Sequence, residues 1–305
     1  MFMVLMFDLW DTLVEGDAVI PHVREALDVL SKFENEAGDK LALYLVAAGD
    51  IPAPAPPTRK PDLIPRDFIK FLDDLDLKRF FEPVERRVLL LTETGSPAAQ
   101  RRTFEQGVRQ LGLPAGLDQC LFVSGNAQHL AACRKMGVRV LRFDPADSGD
   151  ADFGDWTEAP LLVTPIVAPG SSFNRKLALQ FYLAAACQLE LVSINYAKTS
   201  DTIEGRVKKS FPVTIQTRDG GTETIQTPLP VKVVVKLNKK GTVRSVKTEE
   251  PAEEELAESA HFIKTLDDNR QLARGRGKLT RNQTHTLETD EKGQKRLKHK
   301  RSTAV

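Results

Sequence analysis

Short apolar runs alternate with stretches of helical spacing through residues 1–145, and this alternation limits the fold more than any other feature. Met3-Val-Leu-Met-Phe7, Lys40-Leu-Ala-Leu-Tyr-Leu-Val46, Arg87-Val-Leu-Leu-Leu91, Cys120-Leu-Phe-Val123 and Val138-Arg-Val-Leu-Arg-Phe143 each have the length of a strand. Runs that are apolar nearly throughout belong to strands buried on both faces, as in parallel sheets. Between them lie helical stretches. In Ile20–Glu36, for example, Val23, Ala26, Leu27, Leu30 and Phe33 recur every three or four residues and would line one side of a helix. Phe68–Leu77, Pro97–Leu111 and Ala127–Met136 read as further helices. One helix between consecutive strands makes a right-handed crossover and a parallel sheet. The expectation is a Rossmann-like α/β domain over residues 1–146.

The first strand runs directly into Asp8. In open α/β sheets the carboxyl edge of the strands is where ligands and chemistry sit. A carboxylate there can act as a nucleophile or hold a hard cation. Asp11 stands close enough in sequence to be a second acid for a metal, although a loop-capping role suits it as well.

The stretch Asp8-Leu9-Trp10-Asp11-Thr12-Leu13 resembles the first motif of the haloacid dehalogenase-like hydrolases, Asp-x-Asp-x-Thr/Val-Leu. The resemblance covers about the first half of the chain and implies a capless or minimally capped hydrolase fold. It makes Asp8 the candidate nucleophile, with Thr12, Arg101 and Arg102 as candidate substrate-binding residues. In an active enzyme it would also imply Mg²⁺ held by Asp8 and Asp11. The chain departs from the motifs at several places. Trp10 stands at the second Asp, Ala47 at the phosphoryl-binding hydroxyl and Ala98 at the Lys, and Gly125 and His129 fall where the last acids should be. Phosphoryl transfer depends on charge neutralisation by metal, Lys and positioned donors. With those groups replaced, the expectation is a hydrolase fold that has lost or weakened its chemistry, needs no cofactor and acts through binding or assembly. A divergent Mg²⁺-dependent phosphatase using Asp8 is the alternative.

Asp144–Ser172 is rich in Asp, Gly and Pro and reads as a linker over 147–172, although Leu161-Leu-Val163 could still belong to the first domain. Beyond it the period changes. After a helix at Phe173–Ala186, residues 189–196, 213–217, 222–227 and 231–237 alternate apolar with polar, and Asp219-Gly220-Gly221 signals a hairpin. A helix follows Pro251. The expectation is a smaller α+β domain over 173–272 with an antiparallel meander.

Residues 273–305 read as a basic, partly disordered tail, with ten Lys or Arg from Arg274 to Arg301 against Glu288, Asp290 and Glu291. Arg274, Arg276, Lys278, Lys295, Arg296, Lys298, Lys300 and Arg301 are the candidate contacts to a protein partner or another anionic surface. Nucleic acid is less favoured, because no aromatic residues are interleaved to stack on bases. The whole chain has a net charge of +1 and so is not a polycation. No apolar run is long enough to span a bilayer. Cys120, Cys133 and Cys187 are isolated and read as reduced thiols of a cytoplasmic protein.

Overall fold

The computed structural model describes residues 4–48, 64–91, 116–146, 149–195, 201–238, 241–274, 282–289 and 293–299. The chain forms two compact units, one from 1–186 with 239–242 and the other from 187–238 with 243–305. None of the described helices is long and apolar enough to cross a membrane.

In the first unit, β1 (Val4–Asp8) is followed by a small hairpin, β2 (Val14–Glu15) and β3 (Ala18–Val19). Next come α1 (Val23–Leu30), β4 (Ala42–Ala48), α2 (Arg66–Asp74), α3 (Val84–Arg87), β5 (Val88–Leu91) and β6 (Cys120–Ser124). The unit continues through α4 (Ala127–Lys135), β7 (Arg139–Arg142), α5 (Ala159–Val167) and α6 (Ser172–Ala185). The five long strands form one parallel sheet in the order β5-β4-β1-β6-β7. The order reverses between β1 and β6, so the crevice at their carboxyl ends is the topological switch point of a Rossmann-like sheet. The predicted helix at 97–111 lies outside the described residues.

Every β1 residue is buried, as its unbroken apolar run requires. Val4, Met6, Tyr44, Val46, Phe122, Leu130 and Cys133 share one core cluster. Trp156 centres a second, aromatic cluster: Phe7, Phe143 and Phe153 have ring centroids 6.0, 5.8 and 5.6 Å from it. Cys120, Cys133 and Cys187 are free thiols. Burial pushes the Cys120 and Cys133 thiols up to about 12, so both stay protonated and act as apolar packing groups.

Two boundaries differ from the sequence reading. The predicted linker contains α5, nearly all of which is buried. Its two prolines hide the helix from pattern reading: Pro160 sits in the first turn, where no intrahelical N–H is needed, and Pro165 lies inside. The helix α6 belongs to the first unit rather than the second. Asn174, fully buried on α6, accepts from the Glu34 N–H at 3.1 Å and donates to the Glu34 carbonyl at 2.7 Å.

The second unit contains β8 (Glu190–Asn195), β9 (Thr202–Gln216), β10 (Thr222–Leu237), β11 (Val243–Thr248), α7 (Glu253–Asp268), β12 (Leu272–Arg274), β13 (His285–Thr289) and β14 (Lys295–His299). Their order is β12-β13-β14-β10-β9-β8, with β11 also paired to β10. The sheet is mixed rather than a pure antiparallel meander, since β14 runs parallel to β10 and β12 parallel to β13. β10 is one strand where two were expected. Pro228 and Pro230 fall between the part of β10 paired with β14 and the part paired with β11. A strand tolerates a missing N–H where its outer edge has been vacated.

The segment expected to be a tail supplies β12, β13 and β14. Leu272 and Leu287 pack with Val213, Ile225, Ile263 and Leu266 in the core beneath α7. Arg274 bridges two buried acids, Asp267 at 2.6 Å and Glu223 at 3.2 Å, and Lys295 pairs with Glu223 as well. The Arg274 guanidinium holds the Asp267 carboxyl below its usual range. Some of the cations in this stretch therefore neutralise buried acids of their own unit, a role that charge counting cannot separate from partner binding. Arg276, Lys278, Lys300 and Arg301 lie outside the described residues.

Candidate functional site

Asp8 lies at the switch point and is 1 % exposed. An isolated carboxylate buried this deeply would be costly, so its hydrogen bonds decide what it can do. Oδ1 accepts from the Leu9 backbone N–H at 3.0 Å. Oδ2 accepts from the Ser124 hydroxyl at 2.8 Å and lies 2.6 Å from Nδ1 of His129. The bond to Asp8 raises the His129 imidazole above its ordinary value near 6.5, against the opposing pull of burial. Imidazolium against carboxylate at that separation is a charge-assisted pair.

Local sequence places each member of this cluster. Ser124 is the last residue of β6, and its oxygen also accepts from the Asn126 N–H at 2.9 Å. The Asn126 side chain caps α4 by accepting from the N–H groups of Gln128 and His129. The cap fixes the first turn of α4 and sets His129 over the end of β1. Ser124-x-Asn126-x-x-His129 is thus a hydroxyl, a cap and an imidazole delivered together to the switch point. From the sequence, Ser124 had no assigned role and His129 marked only the position of a missing acid. The traceable signal was the Asn cap three residues before a His, at the start of the helix that follows a central strand.

The loop after Asp8 is equally committed. Thr12 is fully buried, and its hydroxyl accepts from the Gly125 N–H at 2.8 Å while donating to the Trp10 carbonyl at 3.2 Å. The Thr12 carbonyl accepts from the Trp156 indole N–H at 2.9 Å. Thr12 therefore clips the β1 loop to the β6 loop, and its hydroxyl is occupied. Asp11 is exposed, in the left-handed region with φ 54°, and its N–H donates to the Val14 carbonyl at 2.9 Å. The Trp10 ring lies on Phe71 of α2, with centroids 5.6 Å apart. Arg101, Arg102 and Ala98 lie outside the described residues.

The described groups around Asp8 are not the donor set of a hard-cation site. Mg²⁺ is held by oxygen ligands, carboxylates above all, whereas the partners of Asp8 are an imidazole, a hydroxyl and a backbone N–H. Among the described residues no group of three or more His, Cys, Asp or Glu side chains is placed to hold a metal. A second acid cannot simply be supplied at residue 125, because a Cβ on Gly125 would lie 2.2 Å from the Asp11 carbonyl oxygen. The cluster is also no hydrolytic triad. In such a triad the imidazole stands between hydroxyl and carboxylate, so that it can take the hydroxyl proton. Here the carboxylate stands between the other two.

No family model matches the chain, and no similar protein was found among curated proteins or solved structures.

Proposed function

We propose that the first unit is a haloacid dehalogenase-like fold whose hydrolytic centre has become a buried structural cluster, and that the protein acts through binding. The observation that carries this reading is the 2.6 Å contact between Asp8 and His129. A nucleophilic carboxylate needs a lone pair aimed at the electrophile and a cation to neutralise the incoming phosphate. Asp8 points its oxygens at Ser124, His129 and its own loop instead. The strand order and an Asp ending the first strand support the fold assignment, while Trp10 on Phe71 and the close approach at Gly125 support loss of chemistry.

A turnover assay decides between this reading and the divergent phosphatase. With Mg²⁺ and a panel of small phosphate monoesters, the wild-type chain is expected to match Asp8→Asn, and calorimetry to show no Mg²⁺ binding. Turnover that Asp8→Asn abolishes would establish the phosphatase.

The second unit supplies the partner surface. Strand register places Arg206, Lys232, Lys236 and Lys247 on the solvent face of the sheet, and Arg296 and Lys298 of β14 share that face. The acids on this face are fewer, and Glu204 and Glu288 (the latter on β13, opposite Arg296) are engaged by Lys232 and Lys298. Such a face suits an anionic protein segment. Binding to poly-glutamate at low salt is expected, weakening as salt rises and falling at least about tenfold in Arg206→Glu/Lys236→Glu/Lys247→Glu. Equal affinity of that variant and wild type removes the sheet face from the proposal, and tighter binding to a short RNA would shift the partner class to nucleic acid.

A further inference from the structure

The second unit contains a cavity of about 510 Å³ that the switch-point site does not use. It opens between the amino-terminal half of α7 and strands β10, β13 and β14. The apolar core of the unit gathers beneath the carboxyl-terminal half of α7, around Ile263 and Leu266. The other half begins with Glu253, Glu254 and Glu255 and brings toward the sheet only the half-buried Leu256 and Ala260 and the small, buried Ser259. That end of the helix lacks the side-chain volume to close the gap.

The lining has a definite chemistry. Its acids are Glu255 and Glu258, and no Lys or Arg is among the described residues that line it. The exposed ring of Phe262 packs edge-on against His285 with centroids 5.6 Å apart, and His285 packs in turn on His299 at 4.8 Å. His285 is pushed below its ordinary value, first by burial and then by His299, so at neutral pH it presents an uncharged aromatic ring. Pro228, Leu229 and Leu297 complete an apolar side. An anion would meet two carboxylates, and the positive end of the α7 dipole is already offset by the three first-turn glutamates. A cation with an apolar body would meet carboxylates and ring faces together.

We propose that this cavity is a binding site for a small organic ammonium ion, its charge held by Glu255 and Glu258 and its body against Phe262 and His285. The site is independent of the fate of the hydrolytic centre, so the failure of either proposal leaves the other standing.

Calorimetry on the full chain tests this with benzyltrimethylammonium and phenylacetate, which share a ring and differ in charge. The ammonium is expected to bind at least about tenfold more tightly than phenylacetate. Glu255→Gln/Glu258→Gln and, separately, Phe262→Ala should each weaken it by about tenfold or more. Glutamine keeps the acceptor that Glu255 offers to the Ala252 N–H at 3.2 Å, so the α7 cap survives. Phe262 is 49 % exposed, so its removal leaves the core intact. Far-ultraviolet circular dichroism checks the fold of both variants. Phenylacetate binding as tightly as the ammonium, affinity unchanged in both variants, or no ammonium binding up to about 10 mM overturns the proposal.

Discussion

Trp156→Ala is expected to lower the stability of the first unit by about 3–5 kcal/mol. Trp156 is 1 % exposed and is among the largest fully buried side chains. Its removal opens a cavity among Phe7, Phe143 and Phe153 and takes the donor from the Thr12 carbonyl. The loss therefore combines a cavity with an unsatisfied buried carbonyl in the loop that follows Asp8. Trp156→Phe separates the two effects. It fills most of the space but donates no hydrogen bond, and should cost about 1–2 kcal/mol. Urea denaturation followed by tryptophan fluorescence reads the first unit alone, because the two tryptophans of the chain, Trp10 and Trp156, both lie in it. In these variants Trp10 remains as the reporter. A cost below about 1 kcal/mol for Trp156→Ala would mean that the aromatic cluster does not hold the unit together.

Asp8→Ala is expected to destabilise the same unit by about 2–4 kcal/mol, since it removes the acceptor from Ser124, His129 and the Leu9 N–H at once. The pair with His129 adds a pH dependence of definite sign. The imidazole is raised in the folded state, so folding favours its protonated form. The stabilisation it contributes is fully present below its ordinary value near 6.5 and is lost as pH rises through the higher folded value. The stability difference between wild type and His129→Gln should accordingly be largest in mildly acidic solution and shrink toward alkaline pH. Asp8→Asn should flatten it. A difference that stays constant across that range would show that the two side chains do not form an ion pair.

The two halves of the chain were legible to different degrees. In the first, each apolar run from Met3–Phe7 to Val138–Phe143 became a strand of one parallel sheet, because a strand buried on both faces can take few side chains other than aliphatic and aromatic ones. In the second, local pattern misled wherever a distant partner altered its meaning. Pro228 and Pro230 look like breaks, yet they lie within a single strand. Arg274 and Lys295 look like a solvated charge run, yet they neutralise Glu223, far from both in sequence. A cation written in sequence carries no record of whether a buried acid waits for it.

The candidate site divides in the same way. The apolar run and its terminal Asp8 fixed, without reference to any other segment, a buried central strand with a carboxylate at its carboxyl edge. What that carboxylate does was decided by tertiary structure. Ser124 and His129 come from more than a hundred residues away, carried by the end of β6 and the capped first turn of α4. The physical reason is the cost of burying charge. A carboxylate at 1 % exposure must find donors, and only the folded sheet determines whether they come from a bound cation or from the chain itself. In this protein the donors are a hydroxyl, an imidazole and a backbone N–H.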